Sequence, residues 1–249
     1  MNTPNINAVS LVFALAFGGV IPTVRAQDEI PFTESFHLED CRLGPRGVNK
    51  YFIPLKTGCF LAFTGEEDGE TLTLRISVLN RTRMVAGVRC AVVREMEWVD
   101  GEIKEISFNY FAICPKCNDV FYFGEDVDIY EDGEVASHAG AWLAGVNGAK
   151  PGLVMPGRPL NGCRYVQEIA PGVAMDRAEH LSDQVTVQTP GGTFQNCLFV
   201  AETTPLEPGH VSLKYYARGV GLIQDGVLKL TDSGCKREPK GDDQDDDKD

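Results

Sequence analysis

Residues 185–223 read VTVQTPGGTFQNCLFVAETTPLEPGHVSLKYYARGVGLI. Val185 and Val187 alternate with polar neighbours, the period of a half-buried strand. Pro190-Gly191-Gly192 ends that strand, because proline has no N–H to donate and glycine accepts positive φ. A second strand starts at Phe194, and two prolines and a glycine make 204–209 a loop. Residues 211–217 form a third strand with Leu213 and Tyr215 on one face. Gly219 and Gly221 bracket Val220 and allow a reversal or bulge before Leu222-Ile223.

The same punctuation extends toward the N-terminus. Leu72, Leu74, Ile76 and Val78 alternate with Thr, Arg and Ser. Asp100-Gly101 and Asp132-Gly133 are two-residue hairpin signals, the first between strands at 90–99 and 102–113. Short strands are expected at 120–123 and 127–130, and strands resume at 164–168 and 178–187. Hairpins at this spacing define an all-β antiparallel meander. Residues 138–162 break the pattern. They are rich in Gly, Ala and Pro yet carry Trp142, Leu153 and Met155, and are expected to be a long loop across one face of the sheet.

Two motifs carry a resemblance. Pro190, Gly192, Thr193 and Phe194, followed by Tyr215, Tyr216, Ala217, Gly219, Val220 and Gly221, resemble the C-terminal half of a broad group of secreted bacterial β-proteins, the DUF3108-like and TapB-like families. Residues 49–58, NKYFIPLKTG, resemble the opening of the same group, and residues 140–155 do so more loosely. The likeness spans roughly residues 49–230 and implies a curved sheet similar to the LolA-type half-barrel, or a partly open barrel. Its motifs are turn glycines and strand aromatics, so it implies no catalytic residues. It also implies acids near the Pro171-Gly172 turn and in the preceding loop, where this chain has Leu143, Asn147 and Met175.

The chain has 249 residues, 43% of them apolar, and a formal charge of −13. That charge argues against nucleic acid and anionic membrane surfaces as partners. Residues 1–26 read as a secretory signal with cleavage after Ala26, which implies a secreted or periplasmic protein without stable membrane insertion. All eight cysteines follow that segment, and an even number in that context implies disulfides. Residues 27–48 are polar and irregular, 49–235 form a single β domain, and 236–249 form an acidic, disordered tail.

Cys114-Pro115-Lys116-Cys117 is the sharpest chemical motif. At a strand–strand turn it reads first as a bridge across the turn or as one partner in each of two longer bridges. With His138 it is also a candidate metal or thiol-redox site. A soft-metal set of His138, Met155 and Met175 is a further candidate. Glu125, Asp126, Asp128, Glu131, Asp132 and Glu134 read as a solvated hairpin that protects a sheet edge. The function expected is non-catalytic binding or carriage of a small apolar ligand held by Trp142, Leu153 and Met155, without a cofactor. The alternatives are a structural or protein-interaction module with a filled core, and a metal or thiol-redox protein.

Overall fold

The computed structural model describes residues 31–235; the expected signal segment and acidic tail lie outside the described residues. Its strands are β1 (Cys59–Glu67), β2 (Glu70–Val85), β3 (Val88–Val99), β4 (Glu102–Ile113), β5 (Val120–Glu131), β6 (Glu134–Ser137), β7 (Trp142–Leu143) and β8 (Lys150–Met155). They continue with β9 (Arg164–Val166), β10 (Glu168–Ile169), β11 (Arg177–Thr189), β12 (Gly192–Thr203), β13 (Ser212–Ala217), β14 (Gly221–Asp225) and β15 (Leu228–Cys235). One short 3-10 turn, Leu38–Asp40, interrupts the N-terminal segment.

The all-β meander expected from the sequence is what the chain forms. The strand order is β10-β8-β5-β4-β3-β2-β1-β15-β14-β13-β12-β11-β9, with every neighbour antiparallel. This path curls into a nearly closed barrel with one unsealed seam. Asp100-Gly101 and Asp132-Gly133 sit at hairpin tips, with Asp100 and Asp132 at positive φ. Residues 120–131 form one bent strand, not two short ones: Gly124, at φ 137°, absorbs the bend. The 138–162 stretch is not irregular throughout. It supplies β7 and β8, which extend the sheet from β5.

The seam lies where the two ends of the path meet. β9 pairs with β11 and β10 pairs with β8, yet only Gln167 separates β9 from β10. One continuous segment therefore touches both edges and changes partners at Gln167. Gly152 of β8 permits this crossing, since a Cβ there would lie inside contact distance of the Val166 and Gln167 carbonyl oxygens.

The two ends of the barrel differ. Asn49, Tyr51, Ile53 and Leu55 are buried at alternate positions of a segment that crosses one mouth. Asn49 donates to the carbonyl oxygens of Asn118 (2.7 Å) and Pro156 (3.1 Å) on one side. On the other side, Gly219 donates to the Lys50 carbonyl (2.7 Å) and Arg218 to the Tyr51 hydroxyl (2.7 Å). Beneath this plug lies an apolar core that includes Ile113, Val120, Met155, Leu198 and Ile223. The opposite mouth is framed by the turns near residues 68–69, 100–101, 204–211 and 226–227. The interior there is polar.

Two disulfides tie the barrel together. Cys59–Cys235 joins the first strand to the last, and Cys41–Cys114 pins the N-terminal strap to the end of β4. Of the two bridging patterns expected at the Cys114-Pro115-Lys116-Cys117 turn, the bridge across the turn is absent and Cys114 enters a longer bridge with Cys41, while Cys117 stays free. Such bonds fit an oxidising environment. Among the described residues no helix is long and apolar enough to cross a membrane.

Candidate functional site

Residues opposed across an antiparallel pair share a face of the sheet. Leu74 and Ile76 of β2 oppose Glu97 and Glu95 of β3. Those oppose Glu105 and Ser107 of β4, and the next inward residue, Asn109, opposes Glu125 of β5. Leu74 and Ile76 are buried, so this is the inner face. On the far wall, Ala178 and His180 of β11 oppose Glu202 and Val200 of β12. Val200 opposes Lys214 of β13, which opposes Asp225 of β14. The polar half of the interior is therefore lined by carboxyls from both walls.

These groups sense one another across the lumen. Lys214 influences Glu95 and Glu97 although many strands separate them in the sheet. Burial, helped by neighbouring carboxylates, pushes the Glu95 and Glu97 pKa values up to about 7. The same causes push Glu105 up to about 8. Burial likewise takes Glu125 to about 8, opposed by its contact with the Tyr122 hydroxyl. Glu168, buried and close to Asp176, is held well above the carboxylate range, and Asp176 is also raised, by burial and then by Glu202. Burial works against the Lys214 ammonium, but Asp225 and Glu202 outweigh it and its pKa lies well above the ordinary value. Its Nζ lies 2.8 Å from Glu202 and 3.3 Å from Asp225.

Gln167 sits in the middle of this field. It is only 6% exposed, and its Nε2 donates to Glu202 Oε1 at 2.9 Å. Its Oε1 is buried and has no donor. A buried amide oxygen without a partner costs about 1–3 kcal/mol, and the neighbouring Glu202 accepts from the Gln167 amide and meets Lys214 without supplying a donor to it. The N–H donors nearby are the Lys214 ammonium, already held by Glu202 and Asp225, and the Trp142 indole, and neither meets Gln167 Oε1. Aromatic rings stand beside it: Tyr122 and Trp142 meet edge to face at 5.2 Å, and Trp142 opposes Glu125. The buried Trp142 indole N–H helps hold Glu125 charged, although its geometry falls short of a full hydrogen bond.

The residues expected to hold an apolar ligand are dispersed. Trp142 faces the acidic lumen, whereas Met155 is buried opposite Val120 in the apolar end. Leu153 opposes Phe121, on the other face of β5. There Phe121 packs on Phe36 of the strap (5.9 Å). His138 does not join Cys114 and Cys117. It is bonded to Asp128 and to the Val127 carbonyl, both at 2.9 Å. The sulfurs that do gather are those of Cys41, Cys114 and Cys117, within 4.8 Å of one another.

Glu125 leaves the solvated hairpin assigned to it. The bend at Gly124 turns it inward, while Asp126 faces outward to Arg83 and Tyr110. A second buried cluster lies at the edge of the lumen. His180, fully buried, meets the Tyr165 hydroxyl (2.8 Å) through Nε2 and the Cys163 sulfur (3.7 Å) through Nδ1. Burial pushes His180 down to about 4 and the Cys163 thiol up. An activated cysteine has a depressed thiol pKa, so this pair reads as packing.

Compared with protein-family models, curated proteins and solved structures, the chain matches none at a significant level.

Proposed function

We propose that this chain is a non-catalytic binding protein that holds a small organic cation in the acidic half of its barrel. The observation that carries this reading is the unpartnered Gln167 Oε1, buried beside Glu202 in a lumen whose carboxyls outnumber its one ammonium, Lys214. A ligand bearing N–H donors and positive charge would satisfy both, and the Tyr122 and Trp142 rings suit a cation as well. An alkyl diamine or polyamine has this chemistry. A bare metal ion fits less well. Among the described residues, the only set of three or more Asp, Glu, Cys or His groups gathered to metal-binding distance is the three cysteines, so no three of the lumen carboxyls share one coordination shell. A purely apolar ligand would leave the buried carboxyls without compensation. On this reading the protein works outside the cytoplasm, secreted or periplasmic, and its kinship is with the LolA-type half-barrels.

The test is a thermal-shift and calorimetric titration with 1,4-diaminobutane, spermidine, calcium and laurate. The two amines should raise Tm and release protons on binding, because ionising Glu105 and Glu125 is part of the event. Gln167→Leu should abolish the response, while Glu131→Gln on the exposed hairpin should keep it. A response to laurate alone would restore the apolar carrier. No response to any probe would leave a filled interior with a structural role.

A further inference from the structure

The three gathered sulfurs have a chemistry of their own, independent of the lumen. Cys41 and Cys114 form a disulfide, and the Cys117 thiol is free and exposed within 4.8 Å of both. The turn that carries Cys117 is firmly held. Cys114 N–H donates to the Asp119 carbonyl (2.9 Å) and Asn118 N–H to the Cys114 carbonyl (2.7 Å). Asn49 clamps the Asn118 carbonyl, and Gly157 N–H donates to Asp119 Oδ1 (2.7 Å). Gly157 packs so closely that a Cβ there would overlap the Cys117 carbonyl oxygen. Cys117 is thus presented to the bridge by a rigid element.

We infer that Cys117 is the attacking thiol of an internal thiol–disulfide exchange that moves the bridge from Cys41–Cys114 to Cys114–Cys117. The Cys117 thiol loses its proton, and the thiolate forms a bond to the Cys114 sulfur. The Cys41–Cys114 bond breaks, and Cys41 leaves as a thiolate that takes up a proton. No electrons enter or leave, so neither oxidant nor reductant is needed. The Cys117 thiol donates to Asp119 Oδ2 at 2.9 Å. Burial and that carboxylate hold it above the ordinary thiol range, which keeps the exchange slow at rest.

The product differs from the starting state in one respect that matters. The Cys41 strap is no longer covalently attached. The strap keeps its paired hydrogen bonds between Gly44 and Ile113 (3.0 and 2.9 Å) but loses its tether three residues upstream. A concavity of about 640 Å³ borders the tethered part, lined in part by Leu38, Cys41, Leu43, Met84 and Phe123. The exchange would therefore govern access to a recess outside the barrel whose lining also includes Glu39 and Arg89.

The experiment uses the full chain purified without reductant. It is exposed to N-ethylmaleimide for increasing times, quenched in acid and mapped by non-reducing peptide mass spectrometry. Label should divide between Cys117, with Cys41–Cys114 intact, and Cys41, with Cys114–Cys117 formed. Asp119→Asn should shift the division toward Cys41 severalfold. Cys117→Ser should leave Cys41 unlabelled, and Cys41→Ser should still fold with Cys114–Cys117 oxidised. Label confined to Cys117 at all times, in both wild type and Asp119→Asn, would overturn the inference. So would three reduced sulfurs retaining a metal ion in native mass spectrometry.

Discussion

Lys214 is the ammonium that Glu202 and Asp225 hold between them. Replacing it by methionine keeps the apolar stem but leaves Glu202 and Asp225 facing each other without a counter-charge. Breaking a largely buried pair in this way costs about 3 kcal/mol, and denaturant unfolding of Lys214→Met at neutral pH should show that loss. The same variant should bind 1,4-diaminobutane more tightly, because one competing cation is gone. A variant that lost both stability and affinity would mean that Lys214 belongs to the ligand's own contacts. The elevated carboxyls also set a pH dependence. Above an ordinary Glu pKa near 4.5 the unfolded chain has released protons that the folded chain still holds on Glu95, Glu97, Glu105 and Glu125. Stability from these groups therefore falls as pH rises toward about 8. His180 acts in the opposite sense, but only between about 4 and its ordinary 6.5. From pH 6.5 to 8 the raised carboxyls set the sign of the slope. Calorimetry should show Tm declining over that window, with Glu105→Gln flattening the slope. A rising Tm there would contradict the assignment of these side chains to the interior.

At the scale of the element, the decisive piece is the segment that runs from β9 through Gln167 into β10. Gly152→Ala should push β8 off the Val166 and Gln167 carbonyls and open the seam. Overpacking of this kind costs typically 1–3 kcal/mol, and hydrogen exchange should show the loss of protection confined to β8, β9 and β10. Loss spread evenly over all strands would mean that the seam is not a separate weak point. The strands themselves were largely legible from alternation and turn residues: Asp100-Gly101, Asp132-Gly133 and the Pro190-Gly191 turn all mark real reversals. The acidic interior was not. Along β3, Glu95 and Glu97 alternate with Met96 and Trp98, and a pattern of period two does not say which set faces inward. Ordinary burial statistics would send Trp98 to the core, and the barrel does the reverse. Glu168 and Asp176 flank the Pro171-Gly172 turn in the sequence, but nothing local shows that Gln167 between the edge strands would bring them to Glu125 and Glu202. That juxtaposition depends on closure of the sheet.

For the whole molecule, continuity of the sheet rests on β1 meeting β15. Cys59 and Cys235 oppose each other in the register, with Cα atoms 3.7 Å apart, and their bridge spans 176 residues of sequence. A cross-link of that span removes much freedom from the unfolded chain, and losing it typically costs 2–5 kcal/mol. Cys59→Ser combined with Cys235→Ser should lower stability by about that amount while leaving far-ultraviolet circular dichroism unchanged. A change in the strand signal would mean that the bridge helps to form the barrel as well as to secure it. The pairing of first and last strands also has a temporal consequence. A nascent chain emerges from its N-terminus, so β1 must wait for nearly the entire domain before its partner exists. The ladder from β2 to β5 and the one from β11 to β14 join neighbours in sequence and can assemble as they appear. The β1–β15 contact has the highest separation in the fold, and such contacts are slow because their loop entropy must be met first. During that wait β1 offers an unpaired edge and Cys59 an unpaired thiol. The interval between synthesis of β1 and arrival of β15 is therefore when this chain is most exposed to aggregation and to a wrong disulfide partner.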